Sequence, residues 1–567
     1  MQVIATAGHV DHGKSTLLRA LTGMEPDRWE EERRRGLTLD LGFVWTDELT
    51  FVDVPGHERF ITTMLAGVGS VPAVLFVVAA DGGWQVQSEE HLAICDALGI
   101  THGVLAVTRS DLADPSSALA ESAGRLAGTT LADIAAIPVS AVTGFGLERL
   151  RAALAAMPVP QPDPEGDIRL WIDRVFTLAG HGTVVTGTLA EGTMRVGDAV
   201  HVAGEPLRVR GLHSRGQACD QITGCARVAV NLRGDTEGLR RGNVLVSPGR
   251  WLEVTHVDVR LGGPGMELGR VPVWLTWHQG TAAVPARVRM LGTDTARVTL
   301  PGLPVRIGDR VLLREPSSRR IWGGTVLDVR PPDLRRRGGA RVRALELESM
   351  NGRPDLPSEL RRRGLITRSE LAMMGVRPNG APVVGDWLAD PDHWANLRAR
   401  LAELAGDQGI GQEEARRALN LADRALVDAL AAEVGLRRLR GRLVPAEPAL
   451  PVEIDKALAT VARGWLREPF VAPSGEALAE LGLGARELAM GEMAGRLLRV
   501  SPGVVLPPDA AERAITLLRT LPQPFTTAQA RQVLQTTRRV AIPLLEHLDR
   551  LGLTRRRADF SRDLVDR

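Results

Sequence analysis

The sequence predicts a multidomain fold: an α/β phosphate-loop domain, then two β-barrels, then a C-terminal array of winged-helix (α+β) domains. Three observations carry this. Over the first 160 residues short apolar runs alternate with amphipathic stretches, the pattern of a parallel sheet with crossover helices. From about residue 165 to 345 the helical pattern vanishes, and alternating strands punctuated by glycine turns replace it. Beyond 350 helical periodicity returns in a diverged repeat.

Bulk properties bound the rest. At 567 residues the chain is too long for one core, and a length prior suggests about four domains. It is 44% hydrophobic and 24% charged, with a mean hydropathy of −0.04. No stretch approaches the roughly 20 apolar residues of a membrane span. The three cysteines, Cys95, Cys219 and Cys225, have neither metal-ligand spacing nor a disulfide pattern. With no signal segment at Met1, the expectation is a cytoplasmic monomer with no membrane partner. Charge is unevenly spread. Residues 1–160 hold 11 basic and 20 acidic side chains, residues 161–345 hold 27 and 18, and the final 43 hold 9 and 5. A solvated surface is one reading of this asymmetry, and a polyanion laid across the middle and tail is the other.

The first domain, expected over residues 1–162, reads from its motifs. Val3–Ala7 is a strand, and Gly8-His9-Val10-Asp11-His12-Gly13-Lys14-Ser15-Thr16 follows it into a helix. This is the phosphate loop: backbone N–H groups and a helix N-terminus hold the phosphates, Lys14 reaches the outer pair and Ser15 can ligate Mg²⁺. Lysine occurs only at Lys14 and Lys456, against 68 arginines. A compact ammonium suits this cradle where a planar guanidinium does not. For Asp11 and His12 loop filling is the alternative. Four further segments come in order. Arg35-Gly36-Leu37-Thr38 offers a threonine hydroxyl to the Mg²⁺ shell. Asp53-Val54-Pro55-Gly56-His57 offers Asp53 to the metal through water, the Gly56 N–H to the γ-phosphate, and His57 to orient the attacking water. In Thr108-Arg109-Ser110-Asp111 the carboxylate accepts the two N–H groups that mark guanine, and Ser140-Ala141 offers backbone donors to its O6. A P-loop GTPase domain using GTP/GDP and Mg²⁺ is the expectation.

Gly8–Ser15, Arg35–Phe43 and Asp53–Phe60 resemble the translational GTPases related to elongation factor Tu. Gly23-Met24-Glu25-Pro26-Asp27-Arg28 is similar to the selenocysteine-specific elongation factors in particular, as is Thr108 where asparagine is usual. Arg109 stands where that motif has lysine; its aliphatic stem can still cover the base.

The strands expected in 165–250 and 251–345 make two barrels, after the stiff linker Pro158-Val159-Pro160-Gln161-Pro162-Asp163-Pro164. The resemblance implies that the first presents the aminoacyl end of a tRNA and the second its acceptor arm. It also implies a basic pocket at Asp173, Arg174, His213 and Arg241. A selenol is ionised at neutral pH. Arginine and protonated histidine would stabilise a selenolate and leave a seryl hydroxyl unrewarded.

In the tail, Ala415-Arg416, Leu419, Arg424 and Leu430 recur 115 residues later as Ala530-Arg531, Leu534, Arg539 and Leu545. Each copy reads as helix, turn, helix and basic hairpin. With weaker copies at Leu356–Val376 and Leu481–Leu506, four winged helices are expected over 350–567. The last, about 508–567, is the most basic, with Arg538, Arg539, Arg555, Arg556 and Arg557 as candidate RNA contacts. Leu544–Leu553 resembles the terminal winged helix with which the family grips a hairpin (SECIS) in selenoprotein messenger RNA. The implied function is a ribosome-stimulated GTPase delivering selenocysteinyl-tRNA to the ribosome at recoded UGA codons. The alternatives are an initiation-factor-two-γ-like GTPase carrying initiator tRNA, and a GTP-switched nucleic-acid adaptor without aminoacyl-tRNA cargo.

Overall fold

A computed structural model describes residues 2–26, 38, 40–57, 60–69, 71–180, 182–262, 268–318, 320–406, 408–439, 441–445 and 450–565. Arg35–Leu37 and the pair 58–59 lie outside these. Contacts divide the chain into two compact units: residues 1–362 with 366–380, and residues 363–365 with 381–567.

The first unit opens with a sheet of order β2-β3-β1-β4-β5-β6, formed by Gln2–Ala7 (β1), Gly42–Trp45 (β2), Leu49–Asp53 (β3), Ala73–Ala79 (β4), His102–Thr108 (β5) and Ala135–Pro138 (β6). All pairings are parallel except β2 against β3. Both faces are covered, which is why these strands read as continuous apolar runs. Val3, Ala5 and Phe76 face Met64, Leu65 and Ile94 of helices Ile61–Val68 (α2) and Val86–Ala97 (α3). Ile4, Phe51 and Leu75 face Leu17 and Leu18 of Lys14–Thr22 (α1) and Leu150 and Leu154 of Leu147–Ala155 (α5). Ser116–Leu126 (α4) completes the first of these layers through Ala118 and Leu126.

The predicted barrels follow. The first closes as β10-β15-β7-β8-β14-β11 and back to β10, using Arg169–Leu178 (β7), Gly182–Leu189 (β8), Ala199–Val202 (β10), Glu205–Ser214 (β11), Ala226–Arg233 (β14) and Val244–Val246 (β15). Short strands Thr193–Arg195 (β9), Gln217–Cys219 (β12) and Gln221–Thr223 (β13) decorate it. The second is a closed barrel of Glu253–Leu261 (β16), Trp274–Gln279 (β17), Ala282–Met290 (β18), Thr295–Pro304 (β19), Arg310–Arg314 (β20) and Ile321–Asp328 (β21).

Polar clamps join the barrels. Arg169 makes a two-pronged pair with Asp309 (2.6 and 2.9 Å), and Arg306 pairs with Asp167. Both guanidinium groups lie over Trp251, at 4.7 and 3.7 Å from its ring centre. At Gly280, with φ of +54°, an added Cβ would fall 2.3 Å from the Trp171 ring, so only glycine lets the β17–β18 turn close on the first barrel.

Helix Gly339–Glu348 (α6) is tied to the second barrel by charge. Its Arg343 is 4% exposed and meets Asp258 (2.8 Å) and Asp328 (2.6 Å), while Arg297 holds the other side of Asp258. Arg260 caps the helix by donating to the carbonyls of Leu347 and Met350.

The second unit repeats one motif. Helices Pro391–Ala405, Gln412–Ala418 and Arg424–Glu433 precede the hairpin Leu436–Leu439/Arg442–Pro445. Helices Val452–Trp465, Gly475–Glu480 and Ala485–Met493 precede Leu498–Ser501/Val504–Leu506. Helices Ala510–Leu518, Thr527–Val533 and Arg538–Arg550 precede Thr554–Arg556/Arg562–Leu564. The repeated apolar positions are core: Ala415, Leu419 and Leu430 in one copy, Ala530, Leu534 and Leu545 in the other. The expected copy near Leu356–Val376 differs. It has helices Leu356–Arg363 and Arg368–Met373 but, among the described residues, no third helix before Pro391, because Pro378, Gly380 and Pro382 interrupt the chain. The last copy is not self-contained either. Phe470, Val500 and Leu506 of the preceding copy share its core.

Candidate functional site

The glycines of the phosphate loop are required. At Gly8, with φ of +126°, a Cβ would lie 2.1 Å from the Val77 carbonyl oxygen, and Gly13 starts α1 with φ of +81°. The amides of Gly13, Lys14, Ser15 and Thr16 are the first-turn donors of α1, which have no intrahelical acceptor, and no side chain caps them. An anion is what such a terminus receives. The Gly8 N–H, expected to face phosphate, instead donates to His91 Nδ1 (2.9 Å), and the Val10 N–H to Gln87 Oε1 (3.3 Å). Two residues of α3 thus brace the loop. Burial lowers the His91 pKa to about 3 and the His12 pKa to about 4, so both rings are neutral at pH 7 and His91 can accept. Lys14 is buried and donates to the Gly8 (3.1 Å) and His9 (2.8 Å) carbonyls. Burial depresses its pKa to about 8.

The three expected metal-site residues come together. Ser15 Oγ donates to Asp53 Oδ2 (2.7 Å) and lies 3.1 Å from Thr38 Oγ1. Thr6 fixes the carboxylate by donating to Asp53 Oδ1 (2.9 Å). This is a compact set of hard oxygens of the kind Mg²⁺ accepts beside phosphate and water. Gly56 presses on the loop, since a Cβ there would sit 2.5 Å from Lys14 Nζ. His57 comes next, its ring edge-on to Phe60.

At the base end the Thr108 hydroxyl donates to the His12 carbonyl (2.7 Å), tying this motif to the phosphate loop. Arg109 adopts φ of +56° and reaches the Asp11 carbonyl and Asp81 (3.1 Å), so its guanidinium is anchored on the loop side. Asp111 is exposed. One expectation is corrected: the Ser140 N–H, expected to face the base, is committed to the Phe145 carbonyl (2.9 Å).

On the first barrel Asp173 and Arg174 occupy a register shift in β7, the mark of a β-bulge that sends neighbouring side chains different ways. Asp173 is buried, accepting from Thr186 (2.7 Å) and from both ends of Arg227, so its carboxylate is turned inward and already paired. Arg227 stacks on Phe43, 3.8 Å from the ring centre. Arg174 and Arg241, far apart in sequence, meet at one carboxylate. Arg174 Nη2 is 3.0 Å from Asp40 Oδ2 and Arg241 Nη1 is 3.4 Å from Asp40 Oδ1. His213 is exposed and lies on the cross-strand row Arg174–Thr186–Ala229–His213. Strand spacing puts it about 14 Å from Arg174 at Cα. Asp40, Phe43 and Arg227 were missed by sequence reasoning, and no spacing along the chain could have paired them with the barrel.

In the last winged helix a cleft of about 570 Å³ is lined by Arg531, Arg538, Arg556 and Phe560. Arg556 lies over the Phe560 ring at 4.6 Å, and Phe560 is 65% exposed. Arg555 is exposed on the wing. Arg539 turns away, donating to the Pro473 and Gly503 carbonyls of the preceding copy, and Arg557 pairs with Asp563. Arg531 was missed, yet the repeat signals it. Its counterpart Arg416 is neutralised by Glu413, whose carboxyl is held down to about 2 by hydrogen bonds from Arg416 and Arg424. The residue 115 positions after Glu413 is Ala528.

The family model "Elongation factor Tu GTP binding domain" matches residues 1–159, and "Elongation factor SelB, winged helix" matches residues 516–560. The selenocysteine-specific elongation factor of Desulfomicrobium baculatum is 36% identical over 401 residues, 66% of this chain and 63% of that one. A solved bacterial selenocysteine-specific elongation factor is 26% identical and superposes over the full length of both chains with a TM-score of 0.71. The chain belongs to the selenocysteine-specific elongation factors, a family of translational GTPases. The initiation factor 2 γ subunit of Thermococcus kodakarensis is 30% identical over 94% of its own length but 56% of this chain. Such a relationship leaves the winged-helix tail unaccounted for. Relative to the curated selenocysteine-specific factors, the chain spans between 56% and 63% of their length. Among the described residues no helix is long and apolar enough to cross a membrane.

Proposed function

We propose that this family member is a cytoplasmic GTPase that carries selenocysteinyl-tRNA to a ribosome paused at a recoded UGA codon. In this reading its last winged helix holds a hairpin of the message. The observation that carries it is the meeting of Arg174 and Arg241 on Asp40 beside the nucleotide domain. Two guanidinium groups, one from β7 and one from the turn before β15, form an anion site on the barrel that would present the aminoacyl end. A selenolate would take charge-assisted bonds from both, and a seryl hydroxyl would gain little. Ser15, Thr38 and Asp53 would hold Mg²⁺, directly or through water; the ion, when bound, neutralises charge on the phosphates. Lys14 holds the outer phosphates, Asp111 reads guanine, and His57 orients water when the ribosome stimulates hydrolysis.

The full chain with GTP should protect selenocysteinyl-tRNA from deacylation much better than seryl-tRNA on the same tRNA body. Arg174→Ala should erase most of that difference, a loss of about 1.5–3 kcal/mol. Equal protection of both aminoacyl forms by the parent would refute the pocket.

For the tail, Arg531, Arg538 and Arg556 are read as phosphate contacts and Phe560 as a stacking surface for an unpaired base. Three phosphate contacts imply a slope of log affinity against log salt of roughly −2 to −3. In the full chain Arg531→Ala with Arg538→Ala should flatten that slope by roughly 1.5 units, whereas Arg557→Ala should leave it nearly unchanged. A double variant with the parental slope would remove this cleft from RNA binding.

A further inference from the structure

The turn between β4 and α3 lies against the nucleotide site, although it belongs to neither the phosphate motif nor the base motif. Its backbone is tied to the base motif, because the Ala80 N–H donates to the Thr108 carbonyl (2.8 Å). It also rides close to the phosphate loop: a Cβ added at Gly82 would fall 3.2 Å from His12 Nε2. From this turn Asp81 meets Arg109, whose Nη1 lies 3.1 Å from Asp81 Oδ2 and 3.4 Å from Oδ1. The other end of the same guanidinium, Nη2, donates to the Asp11 carbonyl. Arg109 and Asp11 both adopt left-handed backbone, with φ of +56° and +61°. Such positions strain any residue but glycine and persist only where surrounding contacts hold them.

A lysine at position 109 would have a single ammonium to give, and the Asp11 carbonyl would take it. A guanidinium carries its donors in a rigid fork and needs a second acceptor on its far side. Asp81 is that acceptor. With both ends held, the Arg109 stem runs from the base motif, two residues from Asp111, to the phosphate loop. We propose that Asp81 is a positioning residue for guanine: it holds the Arg109 guanidinium so that the stem covers the base and slows nucleotide release. Arg109 and Asp81 are 39% and 34% exposed, so water competes for both and the effect is a few-fold change in nucleotide lifetime. This rests on the reading of Thr108–Asp111 as the base site.

The test uses the full chain and measures the GDP release rate and the inhibition constant of inorganic triphosphate, which fills the phosphate loop and has no base. Parent, Asp81→Asn, Arg109→Lys, the double variant and Arg109→Ala are compared. Asp81→Asn should speed GDP release roughly three- to fivefold and leave triphosphate binding at the parental value. Arg109→Lys should speed release by a similar factor, because one ammonium cannot serve both acceptors. The double variant should then be no faster than either single one. Parental release in Asp81→Asn, or a double variant in which the two factors multiply, would overturn the positioning role. So would equal weakening of GDP and triphosphate, which would make the pair a support of the phosphate loop itself. If Arg109→Ala also leaves GDP release unchanged, the base-site reading fails and takes this proposal with it. If Arg109→Ala releases GDP about tenfold faster while Asp81→Asn matches the parent, only the role of Asp81 fails.

Discussion

Replacing Lys14 by alanine is expected to lower GTP affinity by about 1.5–3 kcal/mol or more, some ten- to hundredfold, because the outer phosphates lose a charge-assisted contact. Burial among the Gly8 and His9 carbonyls makes this lysine sensitive to pH as well. Its pKa is depressed to about 8 before nucleotide binds, with burial as the main cause. A bound triphosphate favours the ammonium and raises that value. Affinity should therefore be level below pH 8 and then fall, approaching tenfold per pH unit, with binding taking up a proton in that range. Calorimetric titrations from pH 7 to 9.5 would show this. A parent whose affinity is flat across the range, or that binds ATP as well as GTP, would contradict the assignment. In the same assays His57→Ala should retain affinity and slow ribosome-stimulated turnover.

The largest effect on stability is expected at Arg343. It contacts Asp258 and Asp328, which are 0% and 2% exposed, and joins α6 to the second barrel. Arg343→Ala keeps both carboxylates buried and removes their shared cation, a change that costs about 3–5 kcal/mol. Arg343→Met should fare little better, since packing without charge leaves the same imbalance. Trp277 and Trp322 are fully buried in this barrel and report its unfolding by fluorescence. Their urea transition should move down by at least about 1 M. A transition at the parental concentration would mean that water or Arg297 already satisfies the two carboxylates.

Much of the fold was legible in sequence because local pattern and burial agree. The runs Val3–Ala7, Val74–Ala79 and Gly103–Val107 are strands covered on both faces, and Thr6, the one polar side chain in them, is buried with its hydroxyl on Asp53. Strands β2 and β6 escaped notice. At four residues each they lie at the two edges of the sheet, where the apolar run is short and β6 begins with two exposed alanines. The tail repeat was visible since Ala415, Leu419 and Leu430 recur as Ala530, Leu534 and Leu545, and a core position tolerates few residue types. At 356–376 two helical stretches match the pattern, and Pro378 and Pro382 interrupt the helical periodicity after them.

The candidate sites divide the same way. The nucleotide site is contiguous: backbone amides of one loop, one helix terminus and residues at strand ends, each tied to a short motif of fixed spacing. Ser15, Thr38 and Asp53 meet as the motif order implied. For arginines the sequence states number and not allegiance. Arg538 and Arg556 line the cleft, whereas Arg539 and Arg557 are held by carbonyls and by Asp563. By itself the sequence determined a phosphate-loop domain, two barrels, a winged-helix array and a family. Only the tertiary structure decided that Asp40 lies between Arg174 and Arg241, residues 134 and 201 positions away. The reason is physical: periodicity and motif spacing record interactions within a turn or a strand, while a guanidinium on a flexible stem takes whichever anion the folded chain brings within about 3 Å.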